Sequence, residues 1–142
     1  MAKEWKYTIE IPPMATPRPE FKRTKNGKNI TYYPQKYTDY MEAVQEQLRK
    51  DQAINKNFFE IMQTPLGVKA EVYFYVQAPK SQKRINNIMR TTAPDIDNLV
   101  KAAFDSIFKG LEVKDSRIVM VTMAKFQTLE NARTEITLRG VE

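Results

Sequence analysis

The residues best suited to chemistry lie between Ala93 and Asp105, a segment that reads Ala-Pro-Asp-Ile-Asp-Asn-Leu-Val-Lys-Ala-Ala-Phe-Asp. Asp95 and Asp97 form an Asp-x-Asp pair, which places two carboxylates within reach of one cation. Mg²⁺ takes oxygen ligands at ~2.0–2.1 Å and keeps several waters, so two or three carboxylates suffice to hold it. A third acid, Asp115, follows in the stretch Leu111–Ser116, just before a run of apolar residues. The chain has no Cys and no His. Thiolate nucleophiles, disulfides, Cys-bound zinc and every His-based acid, base or metal ligand are therefore excluded. Three carboxylates without those groups point to a hard metal, Mg²⁺ or Mn²⁺. A metal beside basic segments points in turn to phosphodiester hydrolysis.

The same aspartates have a plainer use. Asp is a favoured N-cap, and an acid in the first helical turn gains ~0.3–1 kcal/mol from the helix dipole. Asp97 and Lys101, four residues apart, could form a surface pair worth ~0.3–0.5 kcal/mol. Spacing alone accommodates both uses.

The elements that must position these residues follow from periodicity. Ile96, Leu99, Val100, Ala103, Phe104 and Ile107 make one apolar stripe, which predicts a helix that starts after Pro94 and ends at Gly110. Asp97, Lys101 and Asp105 then fall on a face turned away from that stripe. A second amphipathic helix is predicted over roughly Lys36 to Lys50, from Tyr37, Tyr40, Met41, Val44 and Leu48. Residues Gln52–Gln63 show no clear period, although Phe58, Phe59, Ile61 and Met62 should pack. Period-two alternation marks strands at Trp5–Ile11, Val68–Gln77 and around Ile136–Leu138. Arg117–Phe126 carries Val, Ile and Met on both faces, as a central strand does. The order β-α-β-α-β-β implies an α+β fold. It is a mixed sheet of about four strands with two main helices on one face, and residues 1–142 make one domain.

The chain carries 23 Lys and Arg against 17 Asp and Glu, a formal charge of +6. That charge is concentrated. Pro17–Lys36 holds Arg18, Lys22, Arg23, Lys25, Lys28 and Lys36 against Glu20 alone, and Ala78–Arg90 holds Lys80, Lys83, Arg84 and Arg90 with no acid. The remaining body is slightly acidic. Both segments have loop chemistry, with prolines at the approach and an Asn26-Gly27 turn in the first. Basic loops on an acidic body suit a polyanion. Tyr32 and Tyr33 could stack on bases or pack as a small strand pair. No run approaches the ~20 apolar residues of a membrane span, and the N-terminus lacks an apolar signal core, so a cytoplasmic protein with no membrane partner is expected.

The contiguous run Asp95-Ile96-Asp97-Asn98-Leu99-Val100-Lys101, then Asp105, then Lys114-Asp115-Ser116 before an apolar strand, resembles the RusA family of Holliday junction resolvases. The opening strand that ends in prolines, the basic loop with Arg18, the Tyr-rich helix entry and the strand before the acidic motif match the family layout. The resemblance implies a metal-dependent homodimer that makes paired cuts in four-way DNA junctions during recombination and repair. It implies that Asp95, Asp97 and Asp115 bind the metal and take part in catalysis, and that Lys101 is the motif lysine. Many members carry two adjacent acids before the serine, where this chain has Lys114-Asp115. Arg18, Lys22, Arg23, Lys80, Lys83 and Arg84 are candidate phosphate contacts. Two alternatives compete: a nucleic-acid-binding module whose acids are only caps, and a metal nuclease acting on flaps or other branched DNA.

One geometric demand is already visible. A helix from Ile96 to Lys109 is ~20 Å long at 1.5 Å per residue, so Asp115 starts at the end far from Asp95 and Asp97. Either the following loop returns along the helix, or the helix ends early, or Asp115 comes from a second subunit.

Overall fold

The computed structural model describes residues 3–79, 81 and 86–142 of the 142-residue chain. Among these residues, seven strands and three α-helices run in the order β1 (Glu4–Ile9), β2 (Glu20–Arg23), β3 (Asn29–Tyr32), α1 (Gln35–Lys50), α2 (Lys56–Met62), β4 (Val68–Gln77), β5 (Ile88–Met89), α3 (Ile96–Phe108), β6 (Ile118–Thr128) and β7 (Arg133–Gly140). Five strands form one mixed sheet in the order β1-β7-β4-β6-β5, and β2 pairs with β3 as a separate hairpin. Only β4 and β6 run parallel; the other pairs are antiparallel. The fold is α+β, as the periodicities require.

The core lies between the sheet and the helices. Along β4, Val68, Ala70, Val72 and Phe74 are buried while Lys69, Glu71 and Tyr73 are only partly covered, the alternation of a strand with one face on a core. The buried face meets Tyr37, Tyr40, Val44 and Leu48 of α1 and Leu99, Ala103 and Ile107 of α3. The opposite face is polar at β1, β7 and β4, where Arg139 bridges Glu4 at 2.8 Å and Glu71 at 3.0 Å.

Two features sharpen the sequence expectation and one departs from it. The stretch without a clear period contains α2, a short helix whose Asn55 side chain accepts from the Phe58 N–H at 3.0 Å. Its three buried residues, Phe58, Ile61 and Met62, fit into two turns, too few to display a period. The basic segment folds into the β2–β3 hairpin, turned at Gly27 with φ +76°, where a side chain would be strained. All eight strand residues of that hairpin are exposed. Finally, β6 is not central. Among the described residues, its outer side meets only the two-residue β5, opposite Phe126 and Gln127, so it is an edge for most of its length. No helix among the described residues is long and apolar enough to cross a membrane.

Candidate metal and nucleic-acid site

Asp95 is the N-cap residue of α3, with extended backbone at ψ 134°. Its carbonyl accepts the first helical bond, from Leu99 N–H at 3.2 Å. Its carboxylate, however, makes no capping bond. Asp97 follows in the first turn and is exposed, as is Lys101 one turn on. Among the described residues, neither carboxylate nor the Lys101 ammonium forms a hydrogen bond or ion pair. The capping and surface-pair uses that spacing allowed are thus not taken up. The acids face solvent with their lone pairs free.

The loop before α3 is braced by cations that the sequence reading did not single out as positioning groups. Lys125 of β6 donates to the Thr92 carbonyl at 2.6 Å and the Pro94 carbonyl at 2.7 Å. Arg90 donates from Nε to the Ala93 carbonyl between them at 2.7 Å. Three successive carbonyls ahead of Asp95 are therefore held by two charged donors, and charge-assisted bonds are roughly twice as strong as neutral ones. On the other side, the Thr16 N–H donates to the Asn98 carbonyl at 3.0 Å. This ties the proline-rich segment after β1, two residues before Arg18, to the first turn of α3. A lone Lys between Ala124 and Phe126 was the available signal for this brace, since a charge in an apolar run needs a partner.

Asp115 opens a single 3₁₀ turn, Asp115–Arg117, that leads into β6. Arg117 fixes this turn by donating to the carbonyls of Met62, at 3.1 Å, and Thr64. Asp105 reports where Asp115 sits. Burial raises the Asp105 carboxyl above its usual range; nearby Lys101 opposes the rise and nearby Asp115 adds to it. The 3₁₀ turn at Asp115–Arg117 packs against α3, so the chain after Gly110 returns along that helix, on the side that carries Asp105. Eight residues separate Asp105 from Asp97, ~12 Å along the helix.

Among the described residues, no three acids stand close enough to share a metal ion. The expected ligand set Asp95, Asp97 and Asp115 is therefore not gathered within one chain. In chemistry the donors fit a hard dication, since all are carboxylates without competing partners among the described residues. In geometry a single chain presents them at two stations, Asp95 with Asp97 and Asp115 with Asp105.

Of the candidate DNA contacts, Arg18, Lys22 and Arg23 are exposed, and Lys22 and Arg23 lie on β2. Lys80, Lys83 and Arg84 fall outside the described residues. Phe21, 75 % exposed, and Tyr32 share the hairpin with the basic residues. Tyr33 packs edge-on against Tyr37 with ring centres 5.0 Å apart and roots the hairpin on α1.

The chain is similar, at 28 % identity over 146 residues and 96 % of both chains, to the uncharacterized protein YqaN of Bacillus subtilis (strain 168). The family model for endodeoxyribonuclease RusA matches residues 10–139, a span that includes the hairpin, the brace and both acidic stations. The chain belongs to the RusA endodeoxyribonuclease family.

Proposed function

We propose that this protein is a Mg²⁺-dependent, homodimeric endonuclease that resolves four-way DNA junctions by paired phosphodiester cuts, acting in the cytoplasm in recombination and repair. Residues 1–142 are read as one catalytic domain. The observation that carries the proposal is the pair of unpartnered carboxylates, Asp95 and Asp97, at a helix start braced by Lys125 and Arg90. A capping role would place the Asp95 carboxylate on the free backbone N–H groups of α3, and it makes no such bond.

Asp95, Asp97 and Asp115 are the residues that would hold Mg²⁺, with Mn²⁺ as the other candidate. When bound, such an ion supplies activation of the attacking water and neutralisation of charge on the phosphate oxygens. The chain's own groups do the rest. Lys101, between the two acidic stations, offsets charge that develops on the scissile phosphate. Arg18, Lys22 and Arg23 hold the DNA backbone through the exposed hairpin, with Lys80, Lys83 and Arg84 as further phosphate contacts. Tyr32 and Phe21 offer faces on which an unpaired base can stack. Since one chain separates its acids, Asp115 is assigned to the site of the second subunit, and a two-fold dimer then provides two equal sites for two cuts.

The test is cleavage of labelled four-way junction, flap and plain duplex by the purified protein, with and without Mg²⁺. Paired cuts in the junction that require the metal support the reading. Cuts confined to flaps make it a different branch nuclease, and intact DNA in every lane makes it a binding module.

A further inference from the structure

β6 combines the composition of a central strand with the position of an edge. From Ile118 to Ala124 it reads Ile-Val-Met-Val-Thr-Met-Ala, seven residues with no charge and no proline. Its neighbour β4 covers one side, while among the described residues β5 covers the other only from Lys125 onward, where Arg90 N–H donates to the Lys125 carbonyl at 2.8 Å. Val119, Met120, Val121 and Met123 are left 58, 52, 40 and 41 % exposed. Monomeric proteins guard such edges with charges, prolines or a covering element, because unpaired backbone groups recruit another strand.

We propose that a second copy of this chain pairs its own β6 antiparallel to this edge, with Thr122 facing Thr122 of the partner subunit. The register follows from what blocks each end. A ladder irregularity at Val119, where Ile118 faces Val68 but Met120 faces Lys69, ends the regular stretch on one side. The bond between Arg90 and Lys125 ends it on the other. The open window is 120–124, and its centre is Thr122. Backbone groups alternate sides along a strand, and those of Lys125 point to β5, so Val121 and Met123 present their N–H and C=O groups outward. With Thr122 on the two-fold axis, Val121 of each copy faces Met123 of the other, and all these groups are satisfied. A shift of one residue places a blocked position opposite an open one.

The occupant is set by self-complementarity and by the site. Val121 and Met123 lie on the helix side, level with Ala70 and Val72, so apolar meets apolar across the seam. Leu66, Ile88 and Met89, all exposed, extend the apolar strip at its ends. Antiparallel pairing also carries the start of β6, with Asp115, toward the partner's far end, where Lys125 holds the loop before Asp95. The two stations that one chain keeps apart are brought toward each other. The seam rests on the homodimer proposed above and assigns its location and register.

The test uses the absence of native cysteine. Thr122→Cys places thiols at a non-hydrogen-bonded antiparallel pair with Cα atoms ~4.5 Å apart, within disulfide reach. Under mild oxidation this variant should form a covalent dimer at least ~10-fold faster than Phe21→Cys, an exposed control on the hairpin. Val121→Lys should shift the native protein from dimer to monomer in sedimentation at micromolar concentration. A native dimer in which Thr122→Cys links no faster than Phe21→Cys overturns the seam and leaves the homodimer standing. A native monomer at every concentration overturns both. Cleavage of labelled DNA, scored separately, judges the nuclease reading.

Discussion

The first turn of α3 and the β2–β3 hairpin both face the solvent, yet they are built in opposite ways. The α3 start is tied to β6 by Lys125, to the β5 end by Arg90 and to the segment after β1 by the Thr16 N–H. The hairpin has no buried strand residue, and its turn is held by its own bonds between Thr24 and Lys28. Chemistry at a phosphate needs groups fixed to a fraction of an ångström, which braces and packed helices provide. Following an irregular DNA backbone needs charge on an arm that can adapt. Under the proposed function, cutting falls to one region and holding to the other, and substitutions in each should separate the two.

The largest effect is expected at the acids. Asp95→Asn or Asp97→Asn should lower junction cleavage by ~10³-fold or more while binding, read by gel shift, stays within a few fold. Loss of binding with cleavage retained would reverse the assignment. Next comes the brace. Lys125→Met keeps the stem but frees the Thr92 and Pro94 carbonyls, and should lower the cleavage rate ~10–100-fold with little change in DNA affinity. The hairpin should behave in the converse manner. Lys22→Ala with Arg23→Ala should weaken binding and reduce the slope of log affinity against log salt by ~0.9 per lost contact, with the rate at saturating protein nearly unchanged.

The smallest effect concerns stability at Asp105. Its carboxyl keeps a proton to higher pH in the folded chain than in the unfolded one, chiefly because it is partly buried. Below the ordinary value of 3.8 the group is neutral in both states and costs nothing. As pH rises through the raised folded value, ionisation favours the unfolded chain. Asp105→Asn should therefore raise the melting temperature at neutral pH, and the gain should disappear in acid. An equal gain at all pH values would show that charge is not its cause.

Much of this arrangement was legible in the sequence because periodicity and helix punctuation are local. The apolar stripe from Ile96 to Ile107 and the glycine at 110 located α3, and Pro94 located its start, so Asp95 and Asp97 fell at the right end. The alternation in β4 was equally plain. What stayed hidden was long-range. That β6 lies at an edge depends on strand order, and a run apolar on both faces looks the same whether its partner belongs to this chain or to another. The braces at Lys125 and Arg117 join residues 31 to 55 positions apart, and no spacing rule reaches that far. The partial return of Asp115 toward Asp105 depends on how the loop after Gly110 packs, which residue types alone do not fix.

The central claim is that Asp95 and Asp97 are free because they serve a divalent ion. Calorimetric titration of the native protein with Mn²⁺, without DNA, tests it most directly. Saturable binding that Asp95→Asn with Asp97→Asn abolishes, while the fold stays intact by circular dichroism, is the expected result. No binding by the native protein, or equal binding by the double variant, would contradict it.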